Sequence, residues 1–276
     1  MKKLALCIGI NNYPGTDMDL GGCVNDAGDW GRVLAMRGFK VDTLIDAQGT
    51  KQAMVAGFRK VIANAASGDL VVITFSGHGT YELDLNGDEL KGLDQALCPY
   101  DLQTAGQALT DDEIHALFKA RQPGVRIVLI SDSCHSGSVN RAVRAAAPGA
   151  PRKRFMPLQK WMPAARLQKA NAAGGAMRTS GALGMPASAA TGPDLGDLLL
   201  SGCEDGETDF SYDATISGRP NGAFTFYALK AIESLPADAS YAAWHAEIIG
   251  TLPTVEYPQH PQLVASAKVK KRPLLT

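Results

Sequence analysis

V-R-I-V-L-I-S-D-S-C-H-S-G-S, residues 125–138, is the stretch on which the fold turns. Its first half, Arg126 to Ser131, is a short β-branched apolar run of the kind that forms a buried strand rather than an amphipathic helix. It stops in small polar residues, with Asp132 and Cys134 at the end and Gly137 to turn the chain. In an open α/β sheet, ligands bind outside the carboxyl ends of the strands. A cysteine at that edge, two residues from a carboxylate, is a candidate nucleophile; the other reading is a small thiol that only packs.

The sequence on either side repeats the pattern. Leu4 to Ile10 is a continuous apolar strand closed by Asn11, Asn12 and the Pro14-Gly15 turn. Val24, Ala27, Trp30, Val33 and Leu34 recur at helical spacing and predict a helix over Cys23 to Met36. Phe39 to Ile45 alternates as a strand, Thr50 caps a second helix, and D-L-V-V-I-T-F, residues 69–75, is another buried strand. Strand, helix, strand, helix, strand at this spacing predicts a parallel sheet with helices on both faces. An acidic hairpin-like excursion is expected over Leu83 to Gly92 and a short strand over Asp94 to Pro99. A helix over Thr110 to Ala120 should start with a Thr110–Glu113 capping box. Beyond residue 193, strands at Leu195 to Ser201 and Pro261 to Ala265 and helices at Ala223 to Leu235 and Tyr241 to Thr251 complete the expectation.

Composition narrows the function classes. A chain of 276 residues accommodates one large α/β domain. Its net charge of −1 gives no overall pull toward nucleic acid or membrane, but the charge is unevenly spread. Nine of the 27 basic residues and none of the 28 acidic ones lie between His135 and Pro193, so an acidic body carries a basic insert. Five dispersed cysteines with no C-x-x-C pair fit a reducing compartment. M-K-K-L-A-L-C has too short an apolar run for a signal peptide, and no stretch approaches bilayer length. The expectation is a soluble, cytoplasmic, monomeric protein.

The strand at residues 69–75 also ends distinctively, in Ser76-Gly77-His78-Gly79-Thr80. Glycines either side of a histidine remove bulk and let the backbone turn, which leaves the imidazole at the sheet's carboxyl edge. His78 lies 56 residues upstream of Cys134, the order seen in caspase-type sites. A thiol needs a base to become a thiolate, and an imidazole can supply that and later protonate a leaving amine. The alternative for His78 is a histidine bonded in a tight turn. Asp132 shares a face with Cys134 on an extended backbone, so its carboxylate can pair with a guanidinium or an ammonium; the alternative is a turn-forming aspartate.

S-G-H-G and D-S-C-H-S-G together resemble the metacaspases of the caspase-like clan. I-G-I-N-N-Y, G-C-V-N-D-A, L-D-Q-A-L-C-P-Y-D, L-T-D-D-E-I, S-G-C-E-D-G-E-T and N-G-A-F-T extend the resemblance over most of the chain outside the basic insert. The resemblance implies a single caspase-like domain, an α/β three-layer sandwich with a mostly parallel central sheet. Residues 1–140 would be its large-subunit-like part, 141–193 a basic flexible insert and 194–276 its small-subunit-like part. It implies a cysteine endopeptidase acting on proteins or peptides after Arg or Lys, with His78 and Cys134 as the dyad. Cys23, Asp26, Ser76 and Asp132 would line the pocket for the basic side chain, and the amides of Gly79 and Cys134 would hold the oxyanion. For Asp26 the alternative is a first-turn aspartate facing its helix dipole.

The resemblance also implies calcium activation, with Asp94, Asp111 and Asp112 as ligands. The family's fourth acidic position falls here on Arg141, a cation that would repel calcium, so the site is weaker, rebuilt from Asp84, Asp88 or Glu89, or absent. Asp111 and Asp112 also suit a helix N-terminus without any metal. The basic insert reads as a solvated loop, as an anionic-surface contact, or as a segment whose Arg or Lys residues reach the acidic pocket as inhibitor or self-cleavage site. The rival from another class is a catalytically idle caspase-like interaction module.

Overall fold

The computed structural model describes residues 1–84, 93–134, 150–173, 197–203 and 209–276. Its centre is a six-stranded sheet. Lys3–Gly9 (β1) is an apolar run buried along most of its length and pairs in parallel with Lys40–Ile45 (β2) on one side and Leu70–Ser76 (β3) on the other. Cys23–Met36 (α1) and Lys51–Ala63 (α2) make the crossovers, and Thr50 caps α2 by accepting from the Ala53 amide at 3.2 Å. Gly79–Leu83 (β4), Leu93–Leu97 (β5) and Leu109–Thr110 (β6) form a small antiparallel sheet that leads into Asp111–Lys119 (α3), where the expected capping box is present.

Arg126–Asp132 (β7) then pairs in parallel with β3, in a register that sets Ser76 against Asp132. That register brings the two strand ends, and hence His78 and Cys134, to the same edge of the sheet. Arg152–Lys153 (β8) and Ala164–Ala173 (α4) follow, and then Leu198–Ser201 (β9), which joins β7 in parallel. Tyr212–Ile216 (β10) and Arg219–Gly222 (β11) form a hairpin that also takes β8. Ala223–Ser234 (α5), Tyr241–Ile249 (α6), Gln262–Val264 (β12) and Ala267–Lys270 (α7) end the chain, with β12 antiparallel to β9 at the sheet's edge. The sheet order is β12-β9-β7-β3-β1-β2.

Continuous apolar strands require cover on both faces, and they have it. On one face α1, α5 and α6 contribute Trp30, Phe224 and Trp244, the two tryptophans edge to face with centroids 6.0 Å apart. On the other, α2 and α3 bring Phe58 against Phe118 at 6.3 Å. The fold class is therefore the expected α/β sandwich, with most elements within a few residues of their sequence reading. The acidic excursion lies largely outside the described residues. No helix among the described residues is long and apolar enough to cross a membrane.

Residues 150–173 of the insert take up structure that its composition does not announce. Its described part forms β8, a short 3-10 turn at Leu158–Lys160 and α4, and it buries Phe155, Met156, Leu158, Trp161 and Met162 in the main core. The apolar residues there are spaced too irregularly to read as a helix or strand, yet they fill a cleft that the rest of the fold supplies. Hydrophobic burial overrides weak local propensity in this segment.

Candidate active site

His78 sits on the turn between β3 and β4. Gly77 is required there by space: a Cβ would lie 2.7 Å from the Tyr13 hydroxyl and 2.8 Å from the Phe75 ring. Tyr13 uses that room, accepting a hydrogen bond from the His78 amide at 2.8 Å and holding its ring 4.8 Å from the imidazole. His78 Nε2 lies 2.6 Å from the Met18 carbonyl oxygen. A carbonyl can only accept, so Nε2 carries the proton and Nδ1 presents its lone pair. Burial lowers the imidazole's pKa to about 4, against the raising effect of the Met18 carbonyl, so the ring is neutral near pH 7.

Cys134 follows the end of β7 by two residues and is buried. Its Sγ accepts a hydrogen bond from the Ser211 amide. Burial raises the thiol's pKa well above its ordinary value, the neighbouring Cys203 adds to the rise, and the Ser211 amide opposes it. Imidazole and thiol are thus both uncharged near pH 7. All five cysteines are buried free thiols.

A residue from the chain's own insert occupies the cleft. The Arg154 side chain is fully buried, and its guanidinium meets three carboxylates: Asp26 at 2.7 Å, Asp213 at 3.0 Å and Asp132 at 3.1 Å. Each carboxylate is fixed from behind. Asp132 accepts from the Thr225 amide at 2.9 Å, the Thr225 hydroxyl at 2.7 Å and the Ser211 hydroxyl. Asp26 accepts from the Gly222 amide and the Asn221 side chain, both at 3.0 Å. Asp213 accepts from the amides of Gly21 and Gly22 at 2.8 and 2.9 Å. Gly222 must be glycine, since a Cβ there would overlap the Asp132 carboxylate and the guanidinium. One cation among three buried carboxylates leaves a strongly negative pocket, which only dense hydrogen bonding makes tolerable.

The backbone of Arg154 is held as well. Its carbonyl oxygen accepts from the Gly79 amide at 2.9 Å and the Cys134 amide at 3.1 Å, and its own amide donates to the Ser211 carbonyl at 2.9 Å. On its amino side, β8 pairs antiparallel with β10, Lys153 opposite Tyr212. On its carboxyl side Phe155 bridges to Gly79, and the Met156 amide donates to the Gly79 carbonyl at 2.8 Å. An extended segment thus crosses the cleft with one carbonyl oxygen under two converging amides, next to the thiol-bearing residue and the imidazole.

The residues expected to work together are therefore together, with additions. His78, Cys134, Gly79, Asp26 and Asp132 converge on Arg154. Ser76 lies beside Asp132 in the β3–β7 register, and Cys23 is buried at the start of α1, its amide bonded to Asn11 Oδ1 at 2.8 Å. Asp213, Ser211, Gly222 and the Met18 carbonyl were not legible. Asp213 lies on a five-residue strand, Y-D-A-T-I, whose alternation marks a strand but not a pocket carboxylate, and backbone carbonyls have no sequence signature.

The acidic positions expected to hold calcium are spread over two elements: Asp94 on β5, opposite Glu82, and Asp111 and Asp112 in the first turn of α3. Glu82 pairs with Arg166 of α4. Among the described residues no group of three or more His, Cys, Asp or Glu side chains could hold a metal ion. Asp84 contributes to none either, and Asp88, Glu89 and Arg141 lie outside the described residues.

Comparison with known proteins agrees with this geometry. Residues 3–142 match the family model described as metacaspase, peptidase C14 domain. Metacaspase-1 of Mycosarcoma maydis is 31% identical over 297 residues, covering 96% of this chain and 70% of the relative; metacaspase-1 of Meyerozyma guilliermondii is 29% identical with the same coverage. Among solved structures, protein GSU0716 from Geobacter sulfurreducens superposes with a TM-score of 0.72 at 28% identity, over 100% of this chain and 99% of that one. Caspase-1 from Spodoptera frugiperda shares the fold, with a TM-score of 0.56 at 10% identity over 96% of this chain and 88% of its own.

Proposed function

The chain belongs to the metacaspase family of cysteine-type peptidases, and we propose from this premise that it is an endopeptidase cutting after Arg or Lys by a Cys134–His78 dyad. The observation that carries the reading is Arg154, with its guanidinium among Asp26, Asp132 and Asp213 and its carbonyl oxygen under the amides of Gly79 and Cys134. The two terminal guanidinium nitrogens meet different carboxylates, which the single nitrogen of an ammonium cannot reproduce, so Arg substrates should outrank Lys.

Chemistry follows from the positions. The Cys134 thiol gives its proton to His78 Nδ1 while Sγ bonds to the carbonyl carbon of the basic residue. The two amides stabilise the resulting oxyanion. The carbon–nitrogen bond breaks as His78 returns the proton to the departing amine. Water then adds to the thioester and releases the new carboxylate and the thiol. In this reading the Met18 carbonyl, by holding Nε2–H, leaves Nδ1 as the nitrogen that takes the proton, and Tyr13 holds the His78 backbone.

The occupied cleft supports a second element of the reading: the chain is made latent by its own insert and is relieved by self-cleavage after Arg154. Calcium activation is kept as a separate proposal, with no step assigned to the ion. Fluorogenic peptides ending in Arg, Lys or Asp, tested with calcium and with chelator on the wild type and on Cys134→Ala, examine all of this. Hydrolysis of Arg and Lys peptides that Cys134→Ala abolishes is expected. Cleavage after Asp would overturn the pocket assignment, residual cleavage by Cys134→Ala the nucleophile, and no cleavage at all would favour an interaction module.

A further inference from the structure

We propose that Phe210 is a specificity-determining residue that selects a cation at the position immediately before the cleaved basic residue. The inference rests on the reading of Arg154 as a substrate-like residue and extends it by one position. With Arg154 in the acidic pocket, the antiparallel pairing of Lys153 with Tyr212 and of Arg152 with Asp213 fixes the register of the preceding residues. Side chains alternate along an extended segment, so Lys153 faces away from the pocket that takes Arg154.

On that other side Lys153 Nζ stands 3.7 Å from the centroid of the Phe210 ring. Phe210 is itself buried and packs in the same core cluster as Cys134 and Cys203, so its face is a fixed platform. An ammonium over an aromatic face is attracted by the ring's negative quadrupole, and a rigid ring loses no freedom in receiving it. Arg152, in contrast, donates to the Asp19 backbone carbonyl at 2.6 Å from an exposed position. A backbone acceptor is available whatever the side chains around it, so the preceding-position ring is the stronger discriminator.

The test compares peptides that end in Arg and differ only in the residue before it: Lys, Arg, norleucine or Glu. Norleucine keeps the length of Lys without its charge. The docked insert competes equally with every peptide, so ratios of kcat/KM are unaffected by it. The wild type should favour Lys over norleucine by about three- to tenfold, the range of a partly desolvated cation–aromatic contact. Phe210→Leu should bring that ratio close to one while the norleucine peptide is still cut, and Phe210→Tyr should retain it. A wild type indifferent to this position, or a Lys preference that survives Phe210→Leu, would overturn the proposal while leaving the peptidase reading intact. Failure to cut any Arg peptide would overturn both.

Discussion

Asp213 shows how a pocket depends on single residues that local sequence does not announce. It supplies one of three carboxylates to Arg154 and also anchors the turn before α1 through Gly21 and Gly22. Asp213→Asn retains the shape and removes the charge. Breaking a buried hydrogen-bonded charge pair costs about 2 kcal/mol or more, so kcat/KM for Arg peptides should drop roughly thirtyfold or more, with neutral peptides unaffected. Asp26 sets the pH dependence. Burial pushes its carboxyl up to about 6, Arg154 opposes the shift and Asp132 adds to it. The value of about 6 holds with Arg154 in place. A peptide enters only when Arg154 has left, and its lowering effect is then lost, so kcat/KM for Arg peptides should fall on the acid side starting above pH 6. A pH–rate profile of Asp26→Asn should be low throughout and lack that acid limb; an unchanged limb would assign it to another group.

At the scale of elements, β3 and β7 do most of the positioning. Both end at the carboxyl edge of the sheet, and their parallel register places Ser76 beside Asp132, which leads His78 and Cys134 to one place. That much was legible, because buried strands and a glycine-flanked histidine leave plain marks in sequence. The β10–β11 hairpin left a fainter mark: Tyr212, Ala214 and Ile216 alternate with polar residues over only five positions, β11 is R-P-N-G, and the hairpin is held by side-chain bonds from α1. The segment from β8 to α4 was legible only as charge. Its anchoring is apolar: Trp161 is buried, and its indole nitrogen donates to the Thr80 hydroxyl at 3.1 Å. Trp161→Ala removes about 3–5 kcal/mol of packing of the kind large-to-small core changes lose. Undocking of the segment should follow, seen as faster hydrolysis of Arg peptides and faster tryptic cutting within residues 150–173. Slower hydrolysis with unchanged proteolysis would mean that the segment supports the site instead of obstructing it.

The whole molecule is an acidic body that has folded around one of its own cations. Outside residues 135–193 the chain carries 18 basic against 28 acidic residues, and the three acids that meet Arg154 come from α1, β7 and β10, distant in sequence and joined only by the fold. The sandwich thus supplies a pocket, a thiol and an imidazole, and Arg154 of the insert lies among them. The proposed self-cleavage in this register would leave Phe155 and the apolar residues after it anchored in the core and free only the short β8 side. The most direct test is to map the chain termini of active wild-type protein by mass spectrometry, beside Cys134→Ala. The account predicts a new carboxyl terminus at Arg154 and a new amino terminus at Phe155, both missing from Cys134→Ala. Active protein that stays joined across Arg154–Phe155, or a cut there that persists in Cys134→Ala, would contradict it.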